Sequence, residues 1–186
     1  MKSRPVYGRL EIVSPAVHHL AVADGRGLAA LERAFATPAG DMPLTVVLAG
    51  GREVAGRAEA LRAGALHLMP TTATALIRLK GLLQTAAMGT RLYIAGSESF
   101  VGEVEAVALD FGLTADAIRT EAISPARRVQ CVHCKGITDE VEESPFRCSH
   151  CGLALLVRDH YSRRLGAFQG DLVGGGQDLK VLAVQR

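Results

Sequence analysis

Two closely spaced pairs of cysteines constrain the fold of this chain more than any other feature of its sequence. The pairs are Cys131-Val132-His133-Cys134 and Cys148-Ser149-His150-Cys151, with 13 residues between them. A CxxC turn places two sulfurs on one side of a tight loop, and two such turns that face each other give a tetrahedral four-sulfur site, which Zn²⁺ accepts. The spacing therefore predicts a structural zinc site with four ligands, Cys131, Cys134, Cys148 and Cys151.

Other uses of the same thiols fit the spacing less well. A redox dithiol needs only one CxxC pair, and iron in a rubredoxin-like site or an iron–sulfur cluster is chemically possible but has other typical spacings. His133 and His150 lie inside the pairs and could bind a metal, but with four thiols present we expect both histidines to be exposed. A closed four-sulfur site leaves no position for water, so we expect no zinc catalysis.

The residues around the cysteines favour strands. The expected strands are residues 128–130 before the first pair, 146–147 before the second and 154–157 after it. Strands that carry two cysteine turns form a zinc ribbon, which we expect to occupy residues 125–170. Residues 171–186, around the three glycines at 174–176, are predicted to be a flexible tail.

The first part of the chain, residues 1–124, alternates short apolar runs with helical patterns, and Ser124-Pro125 closes it because proline disfavours helix at the residue before it. The expected strands are 19–23, 44–49, 65–68, 91–95 and 117–123. The expected helices are 28–36, 53–62, 72–88 and one that begins at Ser97 and ends at Gly112. Such alternation predicts an α/β fold, a doubly wound and mostly parallel sheet with helices on both faces.

Charge and hydropathy exclude some classes of function. The chain has 21 basic and 19 acidic residues, a net charge of +2, which gives no electrostatic footprint for nucleic acid or a membrane surface. No apolar run approaches the roughly 20 residues that span a bilayer, and Arg9 and Glu11 interrupt the only candidate signal peptide. We expect a cytoplasmic protein, where clustered cysteines bind metal more often than they form disulfides.

A doubly wound sheet binds ligands at the carboxyl ends of its strands. After the first strand comes Asp24-Gly25-Arg26-Gly27, and after the fourth comes Gly96-Ser97-Glu98. The two glycines of the first turn match only part of a dinucleotide fingerprint. Asp24 also places a negative charge where a pyrophosphate would lie.

The order of elements over residues 17–123 resembles the pyridine-nucleotide module of ferredoxin reductases. The most specific part is 91–121, with Leu92-Tyr93-Ile94-Ala95-Gly96-Ser97 as its strand and turn. Ala95 stands where that family has cysteine, and Ser97 where it has proline. The resemblance implies either a working NAD(P)H site or a degenerate module kept as a docking platform, and we favour the degenerate module.

A segment rich in functional side chains follows the ribbon. It contains Arg158, Asp159, His160, Tyr161, Arg163 and Arg164. Arginine and tyrosine are common interface anchors, so we interpret the segment as a partner-binding surface. The alternatives are a solvated strand and loop without a role, and a zinc-ribbon nucleic-acid binder, which the modest net charge makes unlikely.

The ribbon motif together with residues 155–168 resembles one family over nearly the whole chain. That family is the small subunit of bacterial haem-dependent dimethylamine monooxygenase. The resemblance implies an NAD(P)H-dependent complex that oxidatively demethylates dimethylamine, with haem on one partner subunit and FMN and an iron–sulfur centre on a reductase subunit. It implies no catalytic or cofactor-binding residue here besides the four cysteines. The expected role is a non-catalytic zinc-binding scaffold, with supply of an NAD(P)H site as the alternative.

Overall fold

A computed structural model describes residues 4–36 and 43–174, which form two five-stranded sheets. The described residues up to 124 contribute five strands and four α-helices, in the order β1 (His18–Ala23), α1 (Leu28–Ala34), β2 (Leu44–Ala49), α2 (Arg52–Ala58), β3 (Ala65–Met69), α3 (Thr72–Leu83), β4 (Thr90–Ser97), α4 (Glu98–Asp110) and β5 (Ile118–Ser124). The remaining strands are β6 (Arg127–Cys131), β7 (Ile137–Val141), β8 (Phe146–Arg147), β9 (Ala154–Ser162) and β10 (Ala167–Leu172).

Sheet A is parallel throughout and has the strand order β3-β2-β1-β4-β5. Its central strands are buried on both faces, as the unbroken apolar run of β2 requires. Leu28, Leu31 and Val54 of α1 and α2 pack on one face, whereas Leu79 and Val104 of α3 and α4 pack on the other. The predicted doubly wound fold is confirmed.

One predicted helix is too long. The sequence pattern favoured a helix from 72 to 88, but α3 ends at Leu83. The amides of Thr85 and Ala86 donate to carbonyls three residues back, and the amide of Thr90 does the same to Ala87. These tight turns return the chain to the start of β4, so the tertiary connection overrides the high helix propensity of the alanines.

Sheet B, carried by residues 127–172 and called the ribbon below, has the strand order β7-β6-β10-β9-β8. The segments predicted as strands are present, but the sequence analysis missed β7 and β10 and most of β9. The sequence analysis assigned residues 171 and 172 to a flexible tail, but both belong to β10. Residues 175–186 of the predicted tail lie outside the described residues. Val129, Val141, Tyr161 and Phe168 form the core of the ribbon.

Helix α4 joins the two sheets. Its apolar face, with Phe100 and Val104, packs on sheet A as predicted, but Glu98, Ser99 and Gly102 on the opposite face are buried as well. A β-carbon on Gly102 would lie 2.7 Å from the carbonyl oxygen of Gly166 in the β9–β10 turn. The backbone of α4 therefore touches the backbone of the ribbon directly, which only glycine allows.

No helix in the described part of the chain is both long and apolar enough to cross a membrane.

Candidate metal centre

The two cysteine turns, called the knuckles, have similar backbone turns. In each, the amide of the residue after the second cysteine donates to the carbonyl of the first cysteine, Lys135 to Cys131 at 3.0 Å and Gly152 to Cys148 at 2.9 Å. Both Lys135 and Gly152 have positive φ, 62° and 73°. Glycine takes this left-handed position readily, whereas in the first knuckle a lysine takes it.

Gly136 follows that lysine and serves a different purpose. A β-carbon on Gly136 would lie 2.5 Å from the ring of His150. The Nε2 atom of His150 in turn lies 2.8 Å from the carbonyl oxygen of Ile137. His150 therefore holds the second knuckle against β7, and Gly136 provides the space for its ring.

The four sulfurs lie close together. All four lie within 4.8 Å of one another, and the two shortest pairs join the knuckles, Cys131 to Cys151 at 3.8 Å and Cys134 to Cys148 at 3.7 Å. A tetrahedron with metal–sulfur bonds of about 2.3 Å has sulfur–sulfur edges of about 3.8 Å. Disulfides are much shorter, about 2.05 Å, so the site fits four separate thiolate ligands around one ion.

The thiols of Cys148 and Cys151 have pKa values shifted in opposite directions. Burial works to raise the pKa of the Cys148 thiol, but hydrogen bonds from the amides of Cys151 and His150 lower it to about 6. The amide of Leu153 works to lower the pKa of the Cys151 thiol, but burial and the neighbouring sulfurs raise it to about 12. The neighbouring sulfurs thus oppose a negative charge on Cys151, and a divalent cation would remove that repulsion.

The four cysteines differ in exposure. Cys131 and Cys148 are buried against Leu155, whereas Cys134 is exposed. His133 and His150 are both exposed, as expected, and neither belongs to the metal-binding group among the described residues. The residues can therefore hold a metal ion at the rim of the ribbon with four sulfur ligands and no open position.

The segment with the clustered arginines lies mostly at the surface of the ribbon. Arg158, Asp159 and His160 are exposed on β9, and Arg163 and Arg164 are exposed in the turn that follows. Arg158 pairs with Asp171 of β10 at 3.0 Å. Tyr161 is buried and packs on Phe168 at a centroid distance of 4.9 Å. Tyr161 is therefore a core residue, and the interpretation of it as an interface anchor is wrong.

The nucleotide-like turns meet at the point where the strand order reverses, between β1 and β4. There the Asp24 carboxylate accepts hydrogen bonds from the amide of Gly27 at 2.9 Å and from the amide of Ser97 at 3.0 Å. These amides, at the first turns of α1 and α4, point where a phosphate would lie in a dinucleotide-binding fold. The carboxylate that the sequence placed near a pyrophosphate position thus fills that position itself.

Glu140 of the ribbon reaches the same point, which the sequence did not indicate. Its carboxylate accepts from the Ser97 hydroxyl at 3.1 Å and pairs with Arg26 at 2.7 Å. The register between β6 and β7 shifts here, so that Asp139 and Glu140 together face Arg128. Glu140 also has a positive φ of 54°, and such bulges redirect a side chain.

A second charged contact ties the same bulge to α4. The Nε atom of Arg128 lies 2.8 Å from Asp139 and 3.3 Å from Glu103 of α4. Burial raises the pKa of the Glu103 carboxyl, and the positive charge of Arg128 opposes that rise. These contacts join residues far apart in sequence, so no local pattern could reveal them.

Comparison with known proteins assigns both parts of the chain. Residues 1–118 match the family model described as dimethylamine monooxygenase subunit DmmA-like, N-terminal domain, and residues 128–170 match the C-terminal domain of the same description. A curated relative, the heme-dependent oxidative N-demethylase delta subunit of Ectopseudomonas mendocina (strain ymp), is 37% identical over 107 residues. The matched part covers 57% of this chain and 61% of that relative, which is less than two thirds of its length. The chain belongs to the family of DmmA-like dimethylamine monooxygenase subunits.

Proposed function

We propose that this chain is a non-catalytic, zinc-binding subunit of a haem-dependent, NAD(P)H-dependent complex that removes a methyl group from dimethylamine by oxidation. The observation that carries the proposal is the match of both parts of the chain to one family of monooxygenase subunits. The relative that shares 37% identity is named as the delta subunit of a heme-dependent oxidative N-demethylase. Haem, FMN and an iron–sulfur centre belong to partner subunits in this proposal.

Within the complex, we assign a scaffolding role to the chain. Residues 1–124 act as a platform and residues 125–170 as the metal-bearing, partner-binding part, which together hold the reductase subunit within electron-transfer reach of the haem subunit. The close contact between Gly102 and Gly166 supports this role, because a scaffold has to keep its two parts in a fixed relation. The four free thiols fit a protein that works in the reducing cytoplasm.

Zinc is the ion that we assign to Cys131, Cys134, Cys148 and Cys151. Sulfur–sulfur separations of 3.7 and 3.8 Å fit tetrahedral zinc. When bound, zinc supplies a fixed link between two knuckles and no reactive position. The ribbon buries only small hydrophobic clusters, which favours a contribution of the metal to its folding.

The alternative, in which the chain supplies the NAD(P)H site, has less support. Asp24 satisfies the amides of Gly27 and Ser97 that would otherwise bind a pyrophosphate, and its charge repels one. A β-carbon on Gly96 would lie 2.8 Å from the Asp24 carboxyl carbon, so the carboxylate is packed closely into the turn.

Co-expression with candidate haem and reductase subunits tests the proposal. We expect the three proteins to co-purify, with zinc bound to this chain, and to release formaldehyde from dimethylamine while O2 and NAD(P)H are consumed. Purified alone, the chain is expected to oxidise no NAD(P)H. If no haem protein co-purifies, or if the other subunits reach the full rate without this chain, the scaffold proposal is refuted.

A further inference from the structure

We propose that Glu140 is a strap by which the ribbon blocks the phosphate position beside the crevice of sheet A, so that this position rejects phosphorylated ligands. The crevice lies at the carboxyl ends of β1, β2 and β3. It has a volume of about 740 Å³ and is lined by residues that include Asp24, Gly25, Arg26, Gly50, Thr71 and Glu140. The inference concerns this chain alone and does not depend on its role as a subunit.

The strap is made by a local distortion of the ribbon edge. Asp139 and Glu140 bulge opposite Arg128, and the left-handed backbone at Glu140 is rare for a residue with a side chain. A bulge at this place turns the Glu140 carboxylate toward sheet A, where it contacts Arg26 and the Ser97 hydroxyl. A distortion that the rest of the fold maintains is a reason to look for a function in the group it directs.

Two carboxylates occupy the position between the Gly27 and Ser97 amides where a phosphate would bind, and its surroundings. Asp24 fills it from within sheet A through two backbone amides. Glu140 engages Arg26, the cation in the turn after β1 that would attract an anion. With both acids in place, an incoming phosphate meets like charge and saturated donors.

The metal centre supports the strap through a short series of hydrogen bonds. The Ser149 amide of the second knuckle donates to the Thr138 hydroxyl at 3.1 Å, and His150 contacts the Ile137 carbonyl at 2.8 Å. The first knuckle is held to the same strand, because the Cys131 amide donates to the Gly136 carbonyl at 2.9 Å. Both knuckles therefore hold the residues that directly precede the Asp139–Glu140 bulge.

Amide hydrogen exchange on the full chain with its metal bound tests the strap directly. The variant Glu140→Gln removes the charge and keeps the size of the side chain, and Glu143→Gln is the matched control because Glu143 is exposed nearby and has no ion pair among the described residues. We expect exchange in residues 24–27 to become roughly threefold faster or more in Glu140→Gln and to stay unchanged in Glu143→Gln. Equal exchange in the two variants overturns the proposal.

Anion binding gives a second, independent measurement. Inorganic pyrophosphate is the probe, titrated into the metal-loaded wild-type protein and into the double variant Asp24→Gly/Glu140→Gln. We expect the double variant to bind pyrophosphate at least about tenfold more tightly than the wild type, which is about 1.4 kcal/mol. If the folded double variant binds pyrophosphate no better than the wild type, the two acids do not block the phosphate position.

Discussion

The contact between Gly102 and Gly166 makes a quantitative prediction for the variant Gly102→Ala. The new β-carbon would lie 2.7 Å from the Gly166 carbonyl oxygen and 2.8 Å from the Tyr161 hydroxyl. That oxygen belongs to Gly166, which has a φ of 58° and lies directly against the backbone of α4. The turn therefore cannot move away from the new methyl group while α4 stays in place. Helix and turn must therefore separate to accommodate one methyl group.

The magnitude follows from two opposing effects. Overpacking of a filled contact costs about 1–3 kcal/mol. Replacing glycine by alanine inside a helix stabilises it by about 1 kcal/mol. The net change for Gly102→Ala is therefore a loss of about 0–2 kcal/mol in the free energy of unfolding.

A matched control isolates the steric part. Gly81 lies in the interior of α3, and a β-carbon there would meet nothing within 4 Å. Gly81→Ala should stabilise the protein by about 1 kcal/mol, so the two variants should differ by about 1–3 kcal/mol in urea unfolding. Limited proteolysis near residue 125 should also become faster in Gly102→Ala only. If both variants stabilise the protein equally, α4 does not hold the ribbon by backbone contact.

Three further substitutions are expected to have distinct effects. Cys131→Ser should abolish metal binding and make the ribbon sensitive to proteolysis while sheet A stays resistant, because all four candidate ligands lie in the ribbon. Equal resistance of the two parts would contradict this expectation. Burial lowers the pKa of His19, so the free energy of unfolding should be highest above about pH 6.5 and should fall as the pH drops below that value. In urea titrations at several pH values, His19→Gln should make the free energy of unfolding depend less on pH. Gly27→Ala should lower the free energy of unfolding by at least about 3 kcal/mol, because its β-carbon would lie 2.1 Å from the carbonyl oxygen of Ala95. Gly25→Ala is the control, since its β-carbon would lie 3.5 Å from the Val54 side chain, and thermal unfolding should find it near neutral.

Local patterns were sufficient to predict most of sheet A. The apolar runs of β1, β2 and β4 and the cap at Ser97 carry their signals in a few adjacent residues, and the structure has them where expected. The cysteine spacing likewise predicted that four sulfurs would meet, since two short loops determine that geometry. Asp24 was identified as a charge in the phosphate position, although its own hydrogen bonds were not foreseen.

Features that depend on distant parts of the chain were not predictable. Strand β7, with the sequence Ile-Thr-Asp-Glu-Val, is short and mostly polar, and it forms a strand because β6 lies beside it. The Glu140 bulge depends on a register shift that no residue type signals. Gly102 looked like an ordinary helix position, because the ribbon that covers it is supplied by residues about 60 positions later.

The most direct test of the scaffold role is the rate at which NAD(P)H reduces the haem in a mixture of purified haem and reductase subunits, measured as this chain is added. The account predicts that the rate rises with the amount of chain and levels off at a fixed stoichiometry. It also predicts that Cys131→Ser, which removes one sulfur ligand from the metal centre, gives a smaller increase or none. A rate that is the same with and without the chain would contradict the account.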